Sequence, residues 1–213
     1  MIIKKISRTE SKKLLLFFAG WGMDANPFSM YRPRGYDLMV VYDYSTLDFD
    51  ENQLSGYNEI KVITWSMGVW AAAQFLQKNN YPITTSIAIN GTHFPVNDEK
   101  GISTHIYHAT LENLSDTSLL KFQRRMCGTA DVLSRFLHKK PKRDIEDLRK
   151  ELKAIGQLSA CLPPSSFSWD KVYISSHDLI FPVQHQQKAW QNNGFTIIDA
   201  PHYPEKLFEE LLE

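Results

Sequence analysis

Three short apolar runs in the first third of the chain constrain its fold more than any other feature. They cover residues 14–19, 38–42 and 60–64. None of them alternates apolar with polar residues, as a strand with one solvated face would, so each is typical of a strand buried on both faces. Strands of this kind form parallel sheets that are covered by helices on both sides. The sequence therefore predicts an α/β fold with a mostly parallel sheet.

Further strand and helix patterns alternate along most of the chain. Strands are predicted over residues 1–7, 83–89, 172–175 and 195–198, a polar turn over 8–11, and helices over 67–78, 183–192 and 204–212. The stretch 96–165 differs, because it lacks a buried strand pattern and carries apolar residues at helical spacing. Its last helix is predicted over 144–155, ending near Gly156. We therefore predict one α/β domain over 1–213, with a helical insertion at 96–165.

The overall charge and the apolar stretches exclude several classes of function. The 213 residues carry no net charge and the pI is near 7.1, so no overall field would recruit nucleic acid or an anionic membrane. No apolar stretch approaches the roughly 18 residues of a membrane span, and no signal-peptide cleavage site follows residues 14–19. Cys127 and Cys161 form no disulfide or zinc pattern, which is expected of a cytoplasmic protein.

A serine lies where the third apolar run meets a helix-forming segment. The local sequence is Thr64-Trp65-Ser66-Met67-Gly68, followed by an alanine-rich stretch. A strand, a sharp turn carrying serine and then a helix is the pattern of a nucleophile elbow, usually written G-x-S-x-G. Thr64 stands in place of the first glycine, which leaves the geometry of the elbow open. Ser66 is the predicted nucleophile.

A base and an acid for Ser66 are predicted at the ends of later strands. His202 follows the last strand, and Asp178 follows the strand at 172–175, so the chain order is serine, aspartate, histidine. This is the order found in α/β-hydrolases, where the histidine takes the serine proton and the aspartate orients the histidine. The competing interpretation is that Asp178 caps a turn and His202 lies on the surface. His177 and His185 are weaker candidates for the base.

The loop after the first buried strand supplies a candidate oxyanion hole. Gly20-Trp21-Gly22 follows residues 14–19, and its glycines allow close approach of the backbone. The N–H groups of Trp21 and Met67 are predicted to face the negative charge of a tetrahedral intermediate. The alternative is an ordinary turn between a strand and a loop.

Metal and dinucleotide sites are not indicated by the sequence. His105 and His108 have helical spacing, but no third ligand lies nearby, so a surface pair is the preferred interpretation. The loop at Gly20 lacks the G-x-G-x-x-G spacing of a dinucleotide site. No metal or cofactor is expected.

With these residues assembled, the chain resembles the α/β-hydrolase superfamily over nearly its whole length. Within that superfamily it is most similar to the BioG-type pimeloyl-[acyl-carrier protein] methyl ester esterases. The similarity rests on Phe18-Ala19-Gly20-Trp21-Gly22-Met23-Asp24, Ile63-Thr64-Trp65-Ser66-Met67-Gly68-Val69-Trp70, Ile89-Asn90-Gly91-Thr92, Phe122-Gln123-Arg124-Arg125-Met126-Cys127 and the segments around Asp178 and His202.

This resemblance implies a cytoplasmic serine carboxylesterase of biotin synthesis that needs no cofactor. It would hydrolyse the methyl ester of a pimeloyl chain carried on acyl-carrier protein, releasing methanol, and the insertion at 96–165 would be its lid. Two alternatives remain. One is a hydrolase or thioesterase for another small acyl ester, and the other is a binding protein on a hydrolase fold whose serine is not catalytic.

Carrier proteins are acidic, so a basic surface on the insertion is the expected docking site. The candidates are Arg124, Arg125, Arg135, Lys139, Lys140, Lys142 and Arg143. The alternative is a solvated helix face, because acidic residues soon alternate with the basic ones. These acidic residues are Asp144, Glu146, Asp147 and Glu151.

Overall fold

A seven-stranded sheet forms the centre of the computed structural model, which describes residues 1–7, 11–78 and 80–213. The strands are β1 (Ile2–Ser7), β2 (Lys13–Phe18), β3 (Asp37–Tyr42), β4 (Glu59–Trp65), β5 (Ile83–Ile89), β6 (Lys171–His177) and β7 (Thr196–Pro201). Their order across the sheet is β1-β3-β2-β4-β5-β6-β7, and every neighbouring pair is parallel except β1 with β3. The predicted mostly parallel sheet is confirmed.

Each face of the sheet packs into its own hydrophobic core, which explains why the apolar runs do not alternate with polar residues. In β2, Leu14, Leu16 and Phe18 pack into one core, and Leu15 and Phe17 pack into the other. Each core is closed by a helix. Trp70 of α1 (Met67–Leu76) lies in the first core, and Phe208 of α7 (Glu205–Leu212) lies in the second. Because both faces of β2 are dry, no polar residue interrupts it.

Four helices lie between β5 and β6, within the predicted helical insertion. They are α2 (Thr104–Glu112), α3 (Asp116–Cys127), α4 (Ala130–His138) and α5 (Ile145–Cys161). A further helix, α6 (Val183–Trp190), connects β6 with β7. Within the described ranges, no helix has the length and apolar character that crossing a membrane would require.

Helix α5 does not end near Gly156, and that prediction is wrong. The helix continues to Cys161. A Cβ atom at residue 156 would lie 3.0 Å from Cε1 of Tyr107, so glycine there allows the close packing of α2 against α5. The helix after Ser66 also ends two residues early, at Leu76. The predicted polar turn falls mainly on residues 8–10, which lie outside the described part of the chain.

Candidate active site

Ser66 occupies a strained turn between β4 and α1. Its backbone has φ 59° and ψ −127°, a region that non-glycine residues rarely adopt. Two glycines allow the turn to pack tightly. A Cβ atom at Gly68 would lie 2.4 Å from the carbonyl oxygen of Phe18, and one at Gly91 would lie 2.2 Å from that of Ser66. The strand, sharp turn and helix of a nucleophile elbow are therefore present.

Thr64, the departure from the usual motif, is accommodated by the neighbouring strand. Its side chain is completely buried, and its hydroxyl donates a hydrogen bond to the carbonyl oxygen of Ile87 on β5 at 2.9 Å. The hydroxyl therefore interacts with β5 rather than with the turn, and it is satisfied although it is buried. Threonine at this position is compatible with the conformation of Ser66.

The structure brings Ser66, His202 and Asp178 into one hydrogen-bonded chain. His202 Nε2 lies 3.0 Å from Ser66 Oγ, and His202 Nδ1 lies 2.8 Å from Asp178 Oδ2. His202 is only 1% exposed, so the alternative of a surface histidine is wrong. When Nδ1 carries the proton and donates a hydrogen bond to Asp178, the lone pair of Nε2 can accept the serine proton.

The two competing histidines lie elsewhere. The imidazole of His177 is 70% exposed and lies 2.9 Å from Asp199. His185 Nδ1 lies 2.8 Å from the carbonyl oxygen of Gly101. Neither contacts Ser66, which leaves His202 as the base that the geometry favours.

The carboxylate of Asp178 is held by four hydrogen bonds. Oδ1 accepts the N–H groups of Ile180 and Phe181, both at 2.8 Å, so Asp178 does cap a turn as the alternative interpretation expected. Oδ2 accepts from Gln186 Nε2 at 2.9 Å as well as from His202. The turn and the histidine therefore use different oxygens of the same side chain, and the carboxylate is fixed in one orientation.

A buried clamp on the backbone of His202 was not found from the sequence. The carbonyl oxygen of His202 accepts hydrogen bonds from Trp65 Nε1 at 2.7 Å and from Asn90 Nδ2 at 2.9 Å. Asn90 also joins β6, because its Oδ1 accepts the N–H of Ser175 at 2.7 Å. Its φ of 49° lies in the left-handed region, which asparagine tolerates. An asparagine before glycine at the end of a buried strand was the available clue.

The two predicted oxyanion donors lie beside Ser66. Trp21 and Met67 both line the cavity that Ser66 and His202 also line. Met67 is the first residue of α1, so its N–H has no acceptor within the helix. The indole of Trp21 donates to the carbonyl oxygen of Leu148 on α5 at 2.9 Å.

A buried ion pair lies next to this loop, and it corrects two predictions. Arg143 Nη1 lies 2.5 Å from Glu151 Oε2, and these side chains are 8% and 0% exposed. Glu151 is therefore not part of a solvated helix face, and Arg143 cannot dock a partner. Burial raises the pKa of the Glu151 carboxyl, while Arg143 and the N–H of Tyr44 oppose that shift. Glu151 lies between Leu148 and Leu152 on the apolar face of α5, a clue that the sequence offered.

Two neighbouring cavities lie between Ser66 and the outer surface of α3. The inner one, of about 50 Å³, is lined mainly by apolar side chains that include Trp21, Ile106 and Phe122. The outer one, of about 460 Å³, lies between α2 and α3. They share four lining residues: Ile106, Thr110, Phe122 and Arg125. These shared side chains therefore form the boundary between the inner cavity and the surface cavity beside α3.

The three candidate docking arginines that remain after Arg143 is excluded are not grouped together. Arg124 and Arg125 line the outer cavity, and Arg125 also reaches the inner one. Arg135 lies on α4 beside two other grooves and forms a bidentate ion pair with Glu205, with the closest contact at 2.6 Å. Arg124 and Arg125 thus form a basic edge that makes no ion pair with the described residues, whereas Glu205 compensates the charge of Arg135.

His105 and His108 belong to no metal-ligand cluster in the described part of the chain. Among residues 1–7, 11–78 and 80–213, no group of three or more histidine, cysteine, aspartate or glutamate side chains is placed to hold a metal ion. The chemistry available at this site is that of a buried serine, histidine and aspartate.

Comparison with protein families agrees with the resemblance seen in the sequence. A family model described as pimeloyl-ACP methyl esterase BioG matches residues 1–211. A Bacteroides fragilis protein named malonyl-[acyl-carrier protein] O-methyltransferase is 49% identical over 94% of this chain. The match covers 41% of that relative, so the chain spans about two fifths of its length.

Solved structures give the same picture of the fold. The crystal structure of BioG from Haemophilus influenzae matches with a TM-score of 0.89 and 32% identity, covering 100% of both chains. A lipase-esterase related protein from Clostridium acetobutylicum matches with a TM-score of 0.69 and 14% identity, over 99% of this chain and 96% of that one. The second likeness concerns the fold alone.

Proposed function

Because the chain belongs to the BioG family of pimeloyl-ACP methyl esterases, we propose that it is a serine carboxylesterase acting on pimeloyl-[acyl-carrier protein] methyl ester. The products are pimeloyl-[acyl-carrier protein] and methanol, and the reaction belongs to biotin synthesis. The observation that carries the proposal is the contact of His202 with both Ser66 and Asp178 at the base of a largely apolar cavity. Membership of a family described as esterases supports a hydrolase activity.

Acylation begins at Ser66. Its Oγ attacks the ester carbonyl while His202 Nε2 takes the hydroxyl proton, and Asp178 stabilises the imidazolium that forms. The carbonyl oxygen becomes an oxyanion, which the N–H groups of Trp21 and Met67 stabilise. The intermediate collapses when His202 returns the proton to the methoxide oxygen, and methanol leaves an acyl-enzyme.

Deacylation uses the same groups in reverse. His202 Nε2 removes a proton from water as the water attacks the acyl-enzyme carbonyl, and the second intermediate collapses with return of the proton to Ser66 Oγ. The product is the free carboxylate on the carrier-bound chain. Every proton is moved by His202, so the scheme needs no cofactor.

The helical insertion is proposed to act as the lid and as the docking surface for the carrier. The apolar walls of both cavities suit a hydrocarbon chain, and Arg124 with Arg125 lies at the outer end, where an acidic carrier would arrive. Arg135 is an outlying contact, because Glu205 already neutralises its charge. The methyl ester end of the chain would therefore enter the cavities first, and the carrier protein would remain outside, next to α3.

The test compares methyl pimeloyl-carrier protein with free methyl pimelate and short chromogenic esters. Methanol release from the carrier-bound ester is expected, and Ser66→Ala and His202→Ala should each abolish it without loss of the folded circular dichroism spectrum. A fluorophosphonate probe should label Ser66 in the unaltered protein. No labelling would support a binding protein, release of free carrier would support a thioesterase, and cleavage of unrelated esters alone would contradict the substrate.

A further inference from the structure

Helix α5 is bonded to the two loops that follow β2 and β3. In the loop after β2, the N–H of Gly22 donates to Glu151 Oε2 at 3.3 Å. In the loop after β3, the N–H of Tyr44 donates to Glu151 Oε1 at 3.0 Å. One side chain of the helical insertion thus accepts backbone N–H groups from two strand ends.

The burial of Glu151 indicates that the carboxylate serves as a hydrogen-bond acceptor for these two loops. Taking a charge out of water is unfavourable even when the charge is paired, and a well-packed apolar residue is often at least as stabilising. Glu151 is completely buried and depends on Arg143 for its counter-charge. An apolar residue at position 151 would leave the N–H groups of Gly22 and Tyr44 without an acceptor. Holding those two loops is what the carboxylate does.

The bond to Gly22 also restrains the preceding residue, Trp21. A peptide unit is planar, so an anchored Gly22 N–H fixes the carbonyl carbon attached to the Cα of Trp21. The indole bond to Leu148 holds the side chain of the same residue. Trp21 is thus restrained both at its carbonyl carbon and at its side chain, which limits how far its backbone N–H can move. The candidate oxyanion donor is therefore restrained from α5.

We infer that Glu151 is a positioning residue that directs the N–H of Trp21 towards the oxyanion formed at Ser66. The inference rests on the proposed serine esterase chemistry and goes beyond it, because it assigns α5 a part in stabilising the transition state. On this view α5 is a fixed part of the catalytic apparatus, while α2 and α3 border the outer cavity. The hydrogen bond from Gly22 to Glu151 affects the reaction only through Trp21. Its loss should therefore weaken binding of the transition state and leave substrate binding nearly unchanged.

The experiment replaces Glu151 with glutamine in the full chain and uses a p-nitrophenyl ester as substrate. Loss of one oxyanion donor costs about 100- to 1,000-fold in kcat, so a misdirected donor should cost roughly 10- to 100-fold, with KM within about twofold. The affinity of an alkyl boronic acid, which mimics the tetrahedral intermediate, should fall in proportion to kcat/KM. Glu146→Gln is the matched control, since this side chain is on the same helix and 82% exposed; its kinetics should not change.

The outcome also separates this inference from the proposed function. If the unaltered protein cleaves neither the p-nitrophenyl ester nor the carrier-bound ester, the proposed function fails. If Glu151→Gln folds and keeps its kcat and its boronate affinity, Glu151 is structural only and the inference is overturned. Should Glu151→Gln not fold, Trp21→Phe removes the indole donor but keeps an aromatic ring beside Phe122. A several-fold loss of kcat at constant KM then supports the inference, and an unchanged kcat overturns it.

Discussion

The strand-end loops and helix α3 of the insertion differ in how their polar side chains are held. On the strand-end loops, Ser66, Asp178 and His202 are buried and hydrogen-bonded to one another. On α3, Arg124 and Arg125 are exposed at the edge of a cavity. A fixed, dry environment suits bond making, and an exposed charge suits recognition of a large partner. Changes on the strand-end loops should therefore affect every ester, and changes on α3 should affect only a carrier-bound one.

The largest effect in this comparison is expected for Asp178→Asn. The Oδ2 position of Asp178 accepts from Gln186 and His202, and Oδ1 accepts from two backbone N–H groups. An asparagine NH2 group must therefore face existing donors in either orientation, and where it faces His202 the imidazole loses the acceptor that fixes its tautomer. We expect kcat to fall by about 1,000- to 10,000-fold on both free and carrier-bound esters.

The control for Asp178→Asn is Asp199→Asn. Asp199 also pairs with a histidine, His177, but both side chains are exposed, so its replacement should leave kcat unchanged. Steady-state rates on a chromogenic ester measure both variants. A loss below tenfold for Asp178→Asn, or equal losses for the two, would remove Asp178 from the mechanism.

The strand-end loops were predictable because their signals are local. A buried strand followed at once by serine, aspartate or histidine places that residue at the carboxyl edge of a parallel sheet, where strand ends meet. The structure brings Ser66, Asp178 and His202 together there, although their roles remain predictions. The clamp on His202 was not predictable in the same way. Asn90 reaches a carbonyl 112 residues away, and no local pattern specifies that contact.

A smaller loss is expected for Asn90→Gly. Glycine accepts the φ of 49°, so the change removes the hydrogen bonds to His202 and Ser175 without straining the backbone. The loss of a buried hydrogen bond costs about 1–3 kcal/mol, so we expect lower stability and roughly tenfold lower kcat on all esters. Thermal unfolding and kcat on free and carrier-bound esters measure this. A loss confined to the carrier-bound ester would contradict the division between strand-end loops and α3.

The roles of the charged residues in the helical insertion were less predictable, because buried and exposed charges look alike in the sequence. Arg124 and Arg143 are both basic residues of the insertion, but the first is exposed and the second is buried against Glu151. Which of them is buried depends on how α5 packs on the loops after β2 and β3, which are more than 100 residues earlier in the chain. The glycine at position 156 was also misinterpreted for this reason: it allows α2 to pack against α5 and does not end the helix.

The smallest effect, and the one that separates the two regions, is expected for Arg124→Glu. Arg124 lines the outer cavity but not the inner one. Reversal of its charge should therefore raise KM for methyl pimeloyl-carrier protein by about threefold to tenfold and leave cleavage of a free ester unchanged. The difference should shrink above about 0.5 M salt, because an exposed charge is then screened. Arg135→Ala is the matched control, expected to change KM less than about twofold because Glu205 already pairs with that arginine. If Arg124→Glu slows the free ester equally, α3 takes part in the chemistry and the division fails.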